Sequence, residues 1–193
     1  DRILYALVPK SRLIRILERV FDAAECLSPC DIRGLSKHYE NNPYTYREGD
    51  EEGSISYSPA DSPVPMFGGN SNWRGPVWMP INYLIIEALQ KYAHYYGDDL
   101  KMEFPTGSGN LMNLWEISLE LEERLINIFR CNETGSRPFN GSIDYFNQDQ
   151  HWKDLIRFNE YFHGDNGSGL GASHQTGWTA IVSKMINQLN RYR

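Results

Sequence analysis

Apolar residues recur at helical spacing in several separated stretches of this chain, and turn-forming residues fill the segments between them. After Pro9, Ser11 is placed to cap a helix that carries Leu13, Ile14, Leu17, Val20 and Phe21 on one stripe and runs to Ala24. Arg12, Arg15, Glu18 and Arg19 fall off that stripe and keep the helix amphipathic. A second helix is predicted from Pro80, which suits a first helical turn, to Gly97, which suits a stop. Ile81, Leu84, Ile85, Ala88, Leu89, Tyr92 and Tyr95 give it one broad apolar face. Leu111, Leu114, Ile117, Leu121, Leu125 and Ile128 predict a third, with Glu116, Glu120, Glu122, Glu123 and Arg124 mostly outward. Trp152, Leu155, Ile156 and Asn159 suggest a short helix. After Thr176 as cap, Trp178, Ile181, Val182, Met185, Ile186 and Leu189 mark the last. The pattern predicts an all-α fold in which helix, loop and helix alternate.

The loops are long. From Leu27 to Pro76 the period is lost under prolines at 29, 43, 59, 63, 65 and 76, and turns are marked by Asn41-Asn42-Pro43 and Gly68-Gly69-Asn70. Ser54-Ile55-Ser56-Tyr57 alternates and suggests at most a short strand. A loop region of that length inside a compact domain is usually functional. Asp98 to Asn110 is turn-rich but lacks the Gly-Lys-Ser/Thr ending of a phosphate loop, which argues against nucleotide binding.

Composition narrows the partners more than the fold. The 193 residues are 40% hydrophobic and 23% charged, as in ordinary globular domains. A net charge of −6 argues against nucleic acid, and no apolar run reaches the ~18 residues of a membrane span. Three cysteines, an odd number, favour a reducing, cytoplasmic setting. Cys26, Cys30 and His38 lack a fourth ligand, so neither metal nor cofactor is expected. Aromatic residues reach 13%, which suits either a large core or stacking platforms in a cleft.

Two loop clusters carry candidate chemistry. Gly68 to Asn82, GGNSNWRGPVWMPIN, brings Asn72, Trp73, Arg74 and Trp78 together. Indoles stack on sugar faces and the guanidinium donates to hydroxyls, although the same residues could seal a core. Phe158 to Ala180, FNEYFHGDNGSGLGASHQTGWTA, sets Glu160 beside Tyr161 and Phe162, followed by His163, His174, Gln175 and Trp178. A carboxylate partly desolvated by aromatics has its pKa raised and can act as general acid or base. Glycoside hydrolysis takes two carboxylates, and the second is not obvious here. No Gly-x-Ser-x-Gly elbow supports Ser-His-Asp chemistry.

GGNSNWRGPVWMPINYLIIEAL and FNEYFHGDNGSGLGASHQTGWTA, with SPCDIRGLSKHY and FPTGSGNLMNLWE, resemble the C-terminal part of the catalytic domain of glycoside hydrolase family 63. The likeness covers nearly the whole chain and is greatest to the bacterial branch that resembles mannosylglycerate hydrolase. The last segment is more distantly similar to the end of the trehalase domain. The resemblance implies an α/α toroid of about six hairpins, of which residues 1–193 supply a part truncated on the N-terminal side. It also implies an inverting mechanism acting on an α-linked glucoside or mannoside, with Glu160 as general base and an upstream Asp, unmatched in this chain, as general acid. Implied partners are a small carbohydrate and the rest of the toroid, and self-association of the isolated part is an expectation from uncovered helix faces. The alternative is a helical carbohydrate-binding or scaffolding module without catalysis.

Overall fold

The computed structural model describes residues 2–63 and 72–192. Asp1, Pro65 and the Gly68-Gly69-Asn70 turn lie outside the described residues. Pro9 occupies the N-cap position of α1 (Lys10–Val20), so the helix starts before Ser11 and ends short of Ala24. Leu13, Leu17 and Phe21 are buried, as their shared stripe requires. A tight hairpin follows, β1 (Leu27–Ser28) against β2 (Asp31–Ile32), and a longer one, β3 (Tyr44–Glu48) against β4 (Glu51–Ile55). The alternation at residues 54–57 marks only the end of that second hairpin.

Helix α2 (Met79–Tyr96) has Trp78 at its N-cap position, Pro80 in its first turn and Gly97 at φ 54 as its stop. The turn-rich link then closes as a hairpin, β5 (Lys101–Glu103) with β6 (Leu111–Asn113), because Pro105 and the glycines at 107 and 109 bring the flanks back antiparallel. Helix α3 (Leu114–Asn127) opens on a capping box: Asn113 accepts the Glu116 N–H at 2.9 Å and Glu116 accepts the Asn113 N–H at 2.8 Å. Helix α4 (Asp144–Gln148) is short and carries no apolar stripe. Residues 152–154 form a turn and 155–159 run without regular structure, in place of the expected helix, and β7 (Tyr161–Phe162) pairs with β8 (Gly169–Leu170). The last helical stretch is broken into α5 (Thr176–Thr179) and α6 (Val182–Tyr192), with Gln175 rather than Thr176 at the N-cap position.

One core joins α1, α2, α3 and α6: Leu17, Phe21, Ile86, Leu89, Leu114, Ile117, Leu121, Leu125, Met185 and Leu189 pack in a single cluster. The molecule is 41% helical and 14% strand, so the all-α expectation holds for its long elements only. Among the described residues, four two-stranded antiparallel hairpins account for the difference. Two helix faces also differ from the pattern. In α2 the buried positions are Met79, Asn82, Ile86, Leu89 and Ala93, while Leu84 is 62% exposed and Ile81 and Tyr95 are exposed too. That helix is apolar on most sides, so period alone could not choose the inward stripe. In α3, Glu122 is buried against α2, where Gln90 Nε2 donates to its Oε1 at 3.2 Å.

Candidate functional site

Glu160 is fixed by backbone hydrogen bonds from the loop it precedes. Phe158 O accepts the Gln175 N–H at 2.7 Å, and Asn159 O accepts the hydroxyl of buried Thr179 at 2.6 Å. Glu160 N–H donates to Ala172 O at 2.8 Å, and Ala172 N–H returns to Glu160 Oε2 at 3.1 Å. The carboxylate is half-buried, with one oxygen held and the group still open to solvent. The fold makes this possible by turning at Gly171, which sits at φ +65. A Cβ there would lie 2.6 Å from Cε1 of Tyr161 and 2.7 Å from Oε2 of Glu160.

Beside it stands a wall of four aromatic rings. Trp73 stacks on Trp78 at 3.7 Å and 9°, and Trp78 stacks on Tyr161 at 4.6 Å and 24°. Trp178 tilts against Trp78 at 5.6 Å and against Trp73 at 6.5 Å. Trp78 and Tyr161 are buried, whereas Trp178 is 37% exposed and Trp73 is half-buried, so the wall offers indole faces at its outer side. Trp78 Nε1 donates to Asn72 O at 3.2 Å, and Asn72 Oδ1 accepts the Ser62 N–H at 3.0 Å. Arg74 is buried, its carbonyl accepting the Ser58 N–H at 2.8 Å, so it anchors the loop from within rather than lining an open surface.

The two clusters meet through the backbone. Val77 bridges Arg33 on one side and Phe162 on the other, and Val77 and Phe162 exchange N–H···O bonds of 2.8 and 2.9 Å. Gly75 and Gly164 let the loops approach: a Cβ on Gly164 would fall 2.5 Å from the carbonyl oxygen of Gly75. The structure thus gathers Asn72, Trp73, Trp78, Glu160, Tyr161 and Trp178.

His163 belongs to a different network. Its Nδ1 accepts the Asp165 N–H at 3.1 Å, and burial pushes its pKa down against the opposing pull of Asp165. The Asp165 carboxylate takes a 2.9 Å ion pair from buried Arg33, with Lys37 at 3.4 Å and the Tyr57 hydroxyl at 3.1 Å. Burial opposes ionisation of Asp165, but the Arg33 hydrogen bond and charge outweigh it and hold the carboxyl below its usual range. His174 is exposed and Gln175 uses its main chain to hold Phe158. Sequence reasoning missed Asp61, which accepts a hydrogen bond from the Tyr161 hydroxyl, and the Asn159–Thr179 clamp. No pattern marked Asp61, since its neighbours are turn residues without a period. An apolar cleft of about 490 Å³ runs between α3 and α6 beside Phe129, Phe158 and Ile186, and none of the expected site residues lines it. Among the described residues no group of three His, Cys, Asp or Glu side chains could hold a metal, and no helix is long and apolar enough to cross a membrane.

Comparison with known proteins agrees with the motifs. Residues 63–115, which include the Trp73–Trp78 segment and α2 but not Glu160, match the family described as the glycosyl hydrolase family 63 C-terminal domain. Over 191 residues, 98% of its length, the chain is 47% identical to an uncharacterized protein of Saccharomyces cerevisiae. It is 29% identical over 128 residues to the mannosyl-oligosaccharide glucosidase of the same yeast, covering 65% of this chain. It is 26% identical over 178 residues, 92% of this chain, to a probable mannosyl-oligosaccharide glucosidase of Schizosaccharomyces pombe. The chain spans 18%, 12% and 15% of these relatives, less than a fifth of each.

Proposed function

We propose that this chain forms the general-base half of an inverting glycoside hydrolase acting on an α-linked glucoside. The observation that carries the reading is Glu160, with Oε2 fixed by the Ala172 N–H, beside a wall of three indoles and Tyr161. An apolar sugar face stacks on exposed indole, while the carboxylate holds a water against the anomeric carbon. The base takes the water's proton as its oxygen bonds to that carbon and the glycosidic bond breaks. A general acid, which the family resemblance assigns to an Asp upstream, protonates the departing oxygen. The names of two relatives favour a glucoside over the mannoside or mannosylglycerate that the bacterial likeness suggested.

In this reading α2 and α3 form one hairpin of an α/α toroid. The outward apolar residues Ile81 and Leu84 then meet neighbouring hairpins of the longer protein, and in the isolated chain they favour self-association. Three free cysteines suit a reducing, cytoplasmic compartment. The test is Glu160→Gln in the full-length protein, assayed on α-glucosides, α-mannosides and mannosylglycerate. Turnover should fall by about 10²–10⁴-fold while sugar binding survives. Near-normal turnover would sink the assignment, and binding without turnover in the wild type would favour the non-catalytic module.

A further inference from the structure

We propose that Asp61 is a second carboxylate of this site, accepting hydrogen bonds from hydroxyl groups of the bound sugar beside the Tyr161 ring that Glu160 also borders. This rests on the glycosidase reading above and adds the residue that orients the substrate.

A directional hydrogen bond ends on Asp61. Ser62 N–H donates to Asn72 Oδ1, which ties the residue after Asp61 to the start of the aromatic segment. The Tyr161 phenol donates its proton to Asp61, and Trp78 Nε1, stacked beside that phenol, donates to Asn72 O. The phenol is thereby committed as donor, and Asp61 as its acceptor. A carboxylate has about four acceptor directions, of which the phenol uses one. Asp61 is exposed, so its remaining lone pairs are open to a ligand.

Position does the rest. The Tyr161 ring stacks on Trp78, within the aromatic wall, and its Cε1 and the Glu160 Oε2 border the same point at Gly171. The two acids therefore border one phenol ring, Glu160 at its Cε1 edge and Asp61 at its hydroxyl. A pyranose stacked on the outer indoles Trp73 and Trp178, with its anomeric carbon toward Glu160, would then turn hydroxyls toward Asp61. Carboxylates accept from hydroxyls with charge-assisted strength, whereas a backbone carbonyl at this place would give less.

The test compares full-length wild type, Asp61→Asn, Asp61→Glu and Glu160→Gln by isothermal titration with methyl α-D-glucoside and methyl α-D-mannoside, alongside thermal melts and steady-state kinetics. Losing a hydrogen bond to a charged group should weaken binding and raise KM about tenfold to hundredfold in Asp61→Asn, with kcat changed far less. Asp61→Glu, which keeps the charge, should recover part of the loss. Unchanged affinity in Asp61→Asn overturns the proposal, as does loss of its cooperative melt, which would assign Asp61 to the fold. Normal turnover in Glu160→Gln with weakened binding in Asp61→Asn would refute the base and keep the sugar carboxylate. Failure of the wild type to bind either sugar would overturn both.

Discussion

Gly171 shows how closely single residues constrain this site. At φ +65 a side chain costs about 1–2 kcal/mol in backbone strain alone, and here its Cβ would also strike both Tyr161 and Glu160. Gly171→Ala should therefore lower stability by at least that amount in denaturant melts and displace the carboxylate, reducing turnover of the full-length protein more than its sugar affinity. Unchanged kinetics in a destabilised variant would separate Gly171 from the site. The residues that made Glu160 visible in the sequence were its aromatic neighbours and the glycines after it, because only a flexible backbone folds back onto its own carboxylate. Asp61 was illegible for the opposite reason. Its role depends on a contact with Tyr161, 100 positions away, that no local spacing encodes.

At the level of elements, the helices were the legible part and their faces less so. The stripe of α1 survives, and that of α6 apart from Ile186, which is 41% exposed, because polar residues bracket them on both sides, so Leu13, Leu17, Val182, Met185 and Leu189 had one way to turn. In α2 nearly every side is apolar, and tertiary packing made the choice. In α3 the charge run hid Glu122, which is buried between α2 and α6. Burial raises its pKa to about 7, against the lowering effects of Gln90 and Lys184. Between pH 4.5, its ordinary value, and about 7 the folded protein keeps a proton that the unfolded chain releases. Stability from this group is thus present at low pH and lost as pH rises through that window. Glu122→Gln should raise the melting temperature at pH 8 and leave it nearly unchanged at pH 4, as calorimetry at the two pH values would reveal. Equal shifts at both would mean that the residue acts through packing alone.

Across the whole molecule, the two loop clusters are joined by a bridge from one residue, Val77, to a strand of two, Tyr161–Phe162, which propensity cannot detect. The Trp73–Trp78 segment and the Glu160 loop lie far apart in sequence, yet Val77 is bonded to Phe162 in both directions. Each loop supplies the other's missing hydrogen-bond partners, and the glycines at 75 and 164 close the gap. Neither loop can be lifted away without stranding a pair of buried amides. In deuterium exchange, then, the Val77 and Phe162 amides should open at a single common rate, one slow enough to track the core helices. Two distinct rates would show one loop moving over the other. One shared rate would mean that the aromatic wall and the Glu160 loop melt as a single foldon, so that on the proposed reading the grip on substrate and the chemistry would be lost in the same event.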